Sequence, residues 1–261
     1  MSSREAKQLT TGKQLYDNYC VGCHGVEGDG NGPAARFLDP KPRDFRVGRI
    51  KFGSVEGGAA PRDEDYMHVL NIGLTGTAMP KFNLLADREK KAIIAYIKTF
   101  YPDWTEDPAG APVSAGQNPF TEDRAEGIEA GRAAYYGLAK CWSCHPAYES
   151  RANIAKLYEE EGEEAPELRA NLFESEVRDS NWGAAIKAPD FLEDRIKTGF
   201  EVESIARVVA AGVGGTAMPT WAGSLEPEQI WGLAYYVNDI ALRRGTPEGR
   251  EMKKRLLASD K

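Results

Sequence analysis

Two short clusters contain all four cysteines and two of the three histidines of this chain. The first occupies residues 20–24, with the sequence CVGCH, and the second occupies residues 141–145, with the sequence CWSCH. This C-x-x-C-H pattern is typical of covalent haem attachment, because two thiols on one helical turn can each bond a vinyl group of one porphyrin. The attaching cysteines are Cys20, Cys23, Cys141 and Cys144, and the imidazoles of His24 and His145 are placed to ligate the iron. The pattern predicts two covalently bound haem c groups.

Other uses of paired cysteines fit less well. A C-x-x-C pair also occurs in thioredoxin-like redox sites, and two pairs together can form a four-cysteine zinc site. Neither alternative explains why a histidine follows both pairs. A disulfide within one pair is disfavoured too, because cysteines three residues apart on a helix rarely reach the geometry of that bond.

An internal repeat extends the similarity of the two clusters to two halves of the chain. Three pairs of segments match: 44–53 with 190–199, 73–80 with 212–219, and 94–97 with 233–236. The middle pair shares the sequence Gly-Thr-Ala-Met-Pro, and its first glycine is expected to end a short apolar helix. The last pair lies in terminal helices and aligns Tyr96 with Tyr235. The repeat predicts an all-α chain of two tandem domains, each a small helical fold around one covalently bound haem.

Each half opens on a helix that leads to its cluster. Thr11 and Gln14 have the form of a capping box, which predicts that the first helix begins there. Gly12 lies on the inner face of this helix and Gly131 on that of its counterpart, whose apolar face we extend to Leu138. A glycine on an inner face lets a second helix cross closely, so we expect aromatic residues of the terminal helix to fill each crossing.

Composition divides the chain into parts. We predict an N-terminal domain at residues 1–102, a Pro/Gly-rich linker at 103–120, a C-terminal domain at 121–245 and a charged tail at 246–261. The second domain contains an acidic insertion at about 146–181. Because of it, the stretch between the C-x-x-C-H cluster and the Asp-Phe pair is 25 residues longer in the second half than in the first. The favoured interpretation of the insertion is a solvated helix, and the alternative is an acidic surface on which a partner docks. The tail is either a fraying helix or a partner contact.

The order of these features resembles class I cytochrome c, repeated in tandem as in the dihaem cytochrome c4 type. The resemblance covers almost the whole chain and implies two tandem class I cytochrome c domains. It also implies His and Met as axial ligands, so that Met79 would join His24 and Met218 would join His145. Family members hold the proximal imidazole with a backbone carbonyl, which we place at Pro33 in the first half.

The remaining cationic and histidine side chains suggest secondary roles. Haem propionates are anions that need donors where they are partly buried. The repeat supports two pairs of candidates for this role: Arg49 with Arg195, and Lys51 with Lys197. The third histidine, His68, has no counterpart in the second half, so we expect it to serve packing or solvation.

Charge and hydropathy limit the partners and the location. The formal net charge is −7, which argues against nucleic acid. We predict no transmembrane segment, because the most apolar stretch, residues 92–101, is short and contains Lys98. Residues 1–5 show no export signal. Covalent haem attachment of this kind occurs on the outer side of bacterial membranes, so we expect a periplasmic protein whose precursor carries an export signal or a membrane anchor that this sequence does not contain.

Three functional hypotheses follow. The first is an electron carrier rather than an enzyme, passing single electrons between redox proteins of a respiratory chain, with a membrane-bound oxidoreductase or oxidase among the candidate partners. The second is a dihaem peroxidase-like enzyme with one open haem, against which the repeated methionine argues. The third is a permanently docked cytochrome subunit of a larger oxidoreductase complex.

Overall fold

The computed structural model describes residues 2–160 and 162–259, and the chain divides into two units. The first unit comprises the residues up to Val113 together with Val213–Gly215, and the second comprises Ser114–Gly212 and the residues from Thr216 onward. Both are mostly helical, which confirms the predicted fold class. The predicted first domain, insertion and tail include four residues that lie outside the described residues: Met1, Glu161, Asp260 and Lys261.

The first unit is built on the packing of its first helix against its last. Its helices are α1 (Ser3–Tyr19), α2 (Val21–His24), α3 (Asp63–Ile72) and α4 (Asp87–Lys98), with short 3-10 turns at Ala35–Phe37, Phe45–Val47 and Pro102–Thr105. The core between α1 and α4 contains fully buried Tyr16, Ile93 and Ile94. With Gly12 on α1 and Ile97 on α4, which are also buried, these positions recur at helical spacing, so one face of each helix is removed from water.

The first helix begins nine residues before the predicted start. The hydroxyl of Ser2 accepts from the N–H of Glu5, and the Glu5 carboxylate accepts from the N–H of Ser2, which completes a capping box. The prediction that Thr11 and Gln14 start the helix is therefore wrong. Both capping-box patterns occur in the sequence, and the earlier one satisfies the free N–H groups of a longer helix.

The second unit contains five α-helices, a 3-10 turn at Cys141–Ser143 and one small sheet among its described residues. The elements are α5 (Arg124–Tyr136), α6 (Arg151–Glu160), β1 (Val177–Asp179), β2 (Ala185–Lys187), α7 (Val202–Ala211), α8 (Pro227–Leu242) and α9 (Pro247–Ser259). The strands pair antiparallel, with Arg178 opposite Ile186. Because α5 ends at Tyr136, Leu138 is not on its apolar face but is 65% exposed, which corrects the predicted extent of that face.

In each unit a glycine lies where the first helix crosses a later one, which is α4 in the first unit and α8 in the second. A Cβ added at Gly12 would lie 2.1 Å from the carbonyl oxygen of Ala92, and one at Gly131 would lie 1.9 Å from that of Gly232. The predicted close crossing is therefore confirmed in both units, because only a residue without a Cβ permits these backbone contacts.

The aromatic residues at the crossings correct the predicted alignment of the terminal helices. Tyr96 packs edge-to-face on Tyr16 at 5.4 Å, and Tyr236 packs on Tyr135 at the same distance. Tyr96 therefore corresponds to Tyr236 rather than to Tyr235. One extra residue before α8 shifts the register, and one residue turns a helix by about 100°.

The segment predicted as a linker is divided between the units. The N–H of Gly110 donates to the carbonyl of Ala60 at 2.9 Å, so this part of the segment packs on the first unit. The indole N–H of Trp231 donates to the carbonyl of Gly116 at 3.2 Å, so the following part packs on α8. The boundary falls after Val113, within residues 103–120.

The tail forms α9, and a side chain ties it to the second unit. The ammonium group of Lys253 lies 2.8 Å from the carboxylate of Asp190 and 2.6 Å from that of Glu193. The Asp190 side chain is only 5% exposed, so this contact holds a buried charge. None of the helices in the described part of the chain combines the length and apolar character that crossing a membrane requires.

Candidate haem sites

The first C-x-x-C-H cluster lies at the junction of α1 and α2. The N–H of Cys20 donates to the carbonyl of Tyr16 at 2.8 Å, and the N–H of His24 donates to the carbonyl of Cys20 at 2.9 Å. These bonds continue helical geometry through the cluster, so Cys20 and Cys23 lie about one turn apart. The cluster thus has the local geometry that two thioether bonds to one porphyrin need.

The imidazole of His24 is oriented by a backbone carbonyl and an aromatic ring. Its Nδ1 donates to the carbonyl of Arg43 at 2.9 Å, and the ring stacks on Phe45 with centroids 4.5 Å apart. Burial lowers the pKa of His24, which favours the neutral imidazole that a metal needs. Because Nδ1 carries the donated proton, Nε2 is the nitrogen left to bind iron. The predicted acceptor, Pro33, is wrong.

The second site repeats this arrangement. The Nδ1 of His145 donates to the carbonyl of Pro189 at 3.0 Å, and the ring stacks on Phe191 at 4.9 Å. Burial lowers the pKa of His145 as well. The acceptors Arg43 and Pro189 each stand immediately before the repeated Asp-Phe pair, so the repeat contained the signal that would have located both.

Buried tyrosine hydroxyls hold the segment that follows each histidine. Tyr16 donates to the carbonyl of Gly25 at 2.7 Å, and Tyr135 donates to the carbonyl of Pro146 at 2.8 Å. Each tyrosine lies four residues after the inner-face glycine of its helix, and the sequence alone does not reveal its hydrogen-bond partner. Each links the first helix of its unit to the residue after the proximal histidine.

Two loops with the same internal hydrogen bond carry the methionines. Gly73 ends α3 with φ of 65°, and Gly212 ends α7 with φ of 75°, a region that favours glycine. The N–H of Met79 donates to the hydroxyl of Thr77 at 3.1 Å. The corresponding bond of the second unit, from Met218 to Thr216, has the same length.

The structure brings the first methionine to the core that contains the cluster. Met79 is half-buried and packs against the group of buried side chains that includes Cys20 and Tyr16. Met218 is likewise half-buried. A thioether is a soft ligand that would suit haem iron together with a histidine.

The four predicted propionate contacts have different surroundings. The guanidinium of Arg49 lies 2.6 Å from the carboxylate of Asp107 and donates to the carbonyl of Gly58. Lys51 and Lys197 are half-buried, and Arg195 is exposed. The repeat therefore does not give Arg49 and Arg195 the same environment, and their contacts with a propionate stay predictions.

The donor set of each unit fits a covalently bound haem. Each cysteine pair lies in its own unit, and all four cysteines are free. Burial raises the pKa of Cys20 and of Cys141 to about 12, whereas thioredoxin-like sites use a thiol with a lowered pKa. Two thiols, an imidazole with Nε2 available and a thioether loop are the groups that would hold one haem c in each unit.

Comparisons with known proteins agree with this donor set. The profile of the family described as cytochrome c matches residues 9–100. The profile described as cytochrome c oxidase, cbb3-type, subunit III, matches residues 126–237. Together the two matches cover more than three quarters of the 261 residues. No curated protein matches the chain in a sequence comparison.

One solved structure is similar to this chain over most of the length of both. It is a chain of a reducing HAO-like protein complex of Kuenenia stuttgartiensis, with 27% sequence identity and a TM-score of 0.69. The similarity covers 87% of this chain and 94% of that chain. The paired family matches, with one C-x-x-C-H site in each unit, confirm the predicted haem content. The chain therefore belongs to the dihaem class I c-type cytochromes, with two cytochrome c domains in tandem and one covalently bound haem c in each.

Proposed function

We propose that this chain carries single electrons between redox partners through two haems, each with histidine and methionine as axial ligands. His24 and Met79 serve the first haem in this proposal, and His145 and Met218 serve the second. The observation that carries it is the methionine loop, which occurs in both units with the same hydrogen bond to the methionine N–H. When bound, haem c supplies one-electron chemistry between ferric and ferrous iron.

The surrounding residues favour electron transfer over substrate chemistry. The threonine hydroxyls restrain the loops that carry Met79 and Met218. Each methionine would therefore stay bound to its iron rather than leave it to admit a substrate. A peroxidase-like site would need an open iron position and an acid–base side chain close to it. The repeated methionine supports a filled position at both haems and therefore disfavours that alternative.

A second candidate function is that of a permanently docked electron-transfer subunit. The solved chain with 27% identity is, by its title, part of a reducing HAO-like protein complex. The similarity spans 94% of that chain, which favours a place for this chain too within a redox complex. The electron chemistry would be the same, but the partner would stay bound.

We also propose that the protein functions in the periplasm. The support is chemical: two C-x-x-C-H sites require covalent haem attachment, which occurs on the outer side of bacterial membranes. Tracing the haem-bearing protein to the periplasmic fraction of its own cells would test this. Recovery of the dihaem form from the cytoplasmic fraction alone would refute it.

Optical spectra with methionine variants test the ligand assignment. We expect the oxidised protein to show the near-infrared methionine-to-iron band for both haems, and the reduced protein not to bind carbon monoxide. Met79→Leu should lower the potential of one haem and open it to carbon monoxide, because a thioether ligand raises the potential. Met67→Leu is a matched control, since Met67 is half-buried against the same core. A wild-type haem that is high-spin or binds carbon monoxide would overturn the proposal.

Sedimentation of the protein from its own cells separates the two candidate functions. A free carrier is expected to sediment alone, because complexes of transient carriers are small and dissociate readily. A docked subunit is expected to sediment with a second haem protein in fixed stoichiometry, at low and at high salt. The second result would favour docking and refute free carriage.

A further inference from the structure

Nearby backbone groups satisfy the carbonyls of the first C-x-x-C-H turn. Three N–H groups donate to them: Gly30 to His24 at 2.9 Å, Gly32 to Cys23 at 3.0 Å, and Ala34 to Gly22 at 2.9 Å. The approach is close, because a Cβ at Gly32 would lie 2.5 Å from the carbonyl oxygen of Gly22. The loop directly after His24 therefore folds back onto the turn and holds its end.

In the second unit an arginine side chain takes this place. The Nε of Arg169 donates to the carbonyl of Trp142 at 2.8 Å, and its Nη2 donates to the carbonyl of His145 at 2.9 Å. The N–H of Glu176 donates to the carbonyl of Cys144 at 2.8 Å. Both donors lie within residues 146–181, the segment that contains the 25 extra residues of the second half.

Arg169 is itself held in place from several sides. Its side chain is 14% exposed and forms an ion pair with Glu176 at 3.2 Å. The guanidinium of Arg151, at the start of α6, donates to the carbonyls of Arg169 and Ala170, both at 2.9 Å. The hydroxyl of Tyr158 on α6 donates to the carbonyl of Tyr136, at the end of α5. The insertion is thus anchored to α5 and presents Arg169 to the haem attachment turn.

We propose that Arg169 is a positioning residue for the second haem, and that the insertion serves to deliver it. One planar guanidinium spans the carbonyls of Trp142 and His145, which an ammonium group on a flexible stem cannot do with the same geometry. By fixing these carbonyls, it fixes the direction of the His145 imidazole and the position of the Cys144 thiol. This role differs from both sequence-based interpretations of the insertion, the solvated helix and the acidic docking surface.

The inference rests on the proposed ligand role of His145, so the wild-type protein is measured first. A second haem without histidine and methionine ligation would refute the proposed function before any variant is compared. With that ligation established, an unaffected Arg169 variant would refute only the positioning role. The two failures are therefore distinguishable.

The test compares three variants produced in cells that attach haem c. Arg169→Met removes the donors but keeps an apolar stem, and Arg169→Lys keeps the charge without the planar fork. Arg178→Met is the matched control, because Arg178 is exposed on β1 near the end of the same insertion. Mass spectrometry of haem-bearing peptides reports attachment at residues 20–24 and 141–145 separately, and the low-spin electron paramagnetic resonance signals report ligand orientation at each haem.

We expect Arg169→Met to lose haem from residues 141–145 and to shift the signal of the second haem in chains that retain it. The first haem should be unchanged, because residues 20–24 belong to the other unit. Arg169→Lys should retain haem but keep a shifted signal, and it provides the test if Arg169→Met fails to fold. Two attached haems with wild-type signals in Arg169→Met would overturn the inference. Complete restoration of the signal by Arg169→Lys would do so too, because charge rather than geometry would then suffice.

Discussion

The helix crossing in the first unit should not accept a single methyl group. In Gly12→Ala, the added Cβ would lie 2.1 Å from the carbonyl oxygen of Ala92 and 2.9 Å from the Cβ of Tyr96. The first distance is shorter than van der Waals contact by more than about 1 Å. Because the atom it meets is backbone rather than a side-chain end, α1 and α4 must separate. That separation loosens the packing of Tyr16 on Tyr96.

Two opposing free-energy terms give the expected magnitude. Overpacking a tight contact costs about 3 kcal/mol at the upper end of its usual range. Replacing glycine by alanine within a helix contributes about 1 kcal/mol in the favourable direction. The free energy of unfolding of the first unit should therefore fall by about 2 kcal/mol. For a unit of this size the Tm should fall by about 8 °C.

Hydrogen exchange followed by mass spectrometry resolves the effect by unit. Exchange should accelerate in α1 and α4 and stay unchanged in α5 and α8, because local opening reports local stability. Thr10→Ala is the control: Thr10 is exposed on the same helix, so this substitution should be neutral or stabilising. If Gly12→Ala protected α1 and α4 as well as the wild type, the steric reasoning would be refuted.

Three further predictions follow from individual side-chain contacts. Tyr135→Phe removes the donor to a buried carbonyl and should lower the unfolding free energy of the second unit by about 1–3 kcal/mol, measured by thermal unfolding. The hydrogen bond with Arg46 lowers the pKa of Asp44. The stabilisation it contributes is present above the unfolded pKa, near about 4, and is lost as pH falls through the folded pKa, which acid titration of stability should show. Lys253→Met removes the ion-pair partner of the buried Asp190 carboxylate but leaves its hydrogen bond from the N–H of Leu192. It should cost about 2 kcal/mol, less than in a fully buried pair, with faster hydrogen exchange in α9.

Each of these changes has a control within the chain. Tyr19→Phe, at a side chain that is 52% exposed, should leave thermal stability unchanged. Asp44→Asn should weaken the dependence on acid pH, and an identical acid profile would contradict the assignment to Asp44. Lys254→Met removes the same charge from an exposed position and should leave α9 protected. Equal exchange in the Lys253 and Lys254 variants would show that the contact with Asp190 does not hold α9.

Two predictions are wrong because chain folding decides contacts that residue types do not reveal. The alignment of Tyr96 with Tyr235 matched letters, whereas packing on the first helix selects Tyr236. The family resemblance points to the carbonyl of Pro33, whereas that of Arg43 is the acceptor for His24. A backbone carbonyl is present at every residue, so residue type alone does not reveal which one faces the histidine.

The sequence by itself determined the chemistry and the repeated plan of this protein. Patterns of residue type at short spacing can be recognised in the sequence alone. They include the C-x-x-C-H clusters, the Gly-Thr-Ala-Met-Pro segments and the inner-face glycines. The paired family matches confirm the two cytochrome c domains that these patterns predicted.

Only the tertiary structure decided what holds each site in place. The contact of Arg169 with the turn at residues 141–145 and the contact of Lys253 with Asp190 join side chains to groups that are distant in sequence. Charged residues in an acidic insertion or a basic tail look solvent-exposed in a sequence. Their partners are set by chain folding, because a buried carbonyl or carboxylate must be satisfied by whichever donor the fold brings to it.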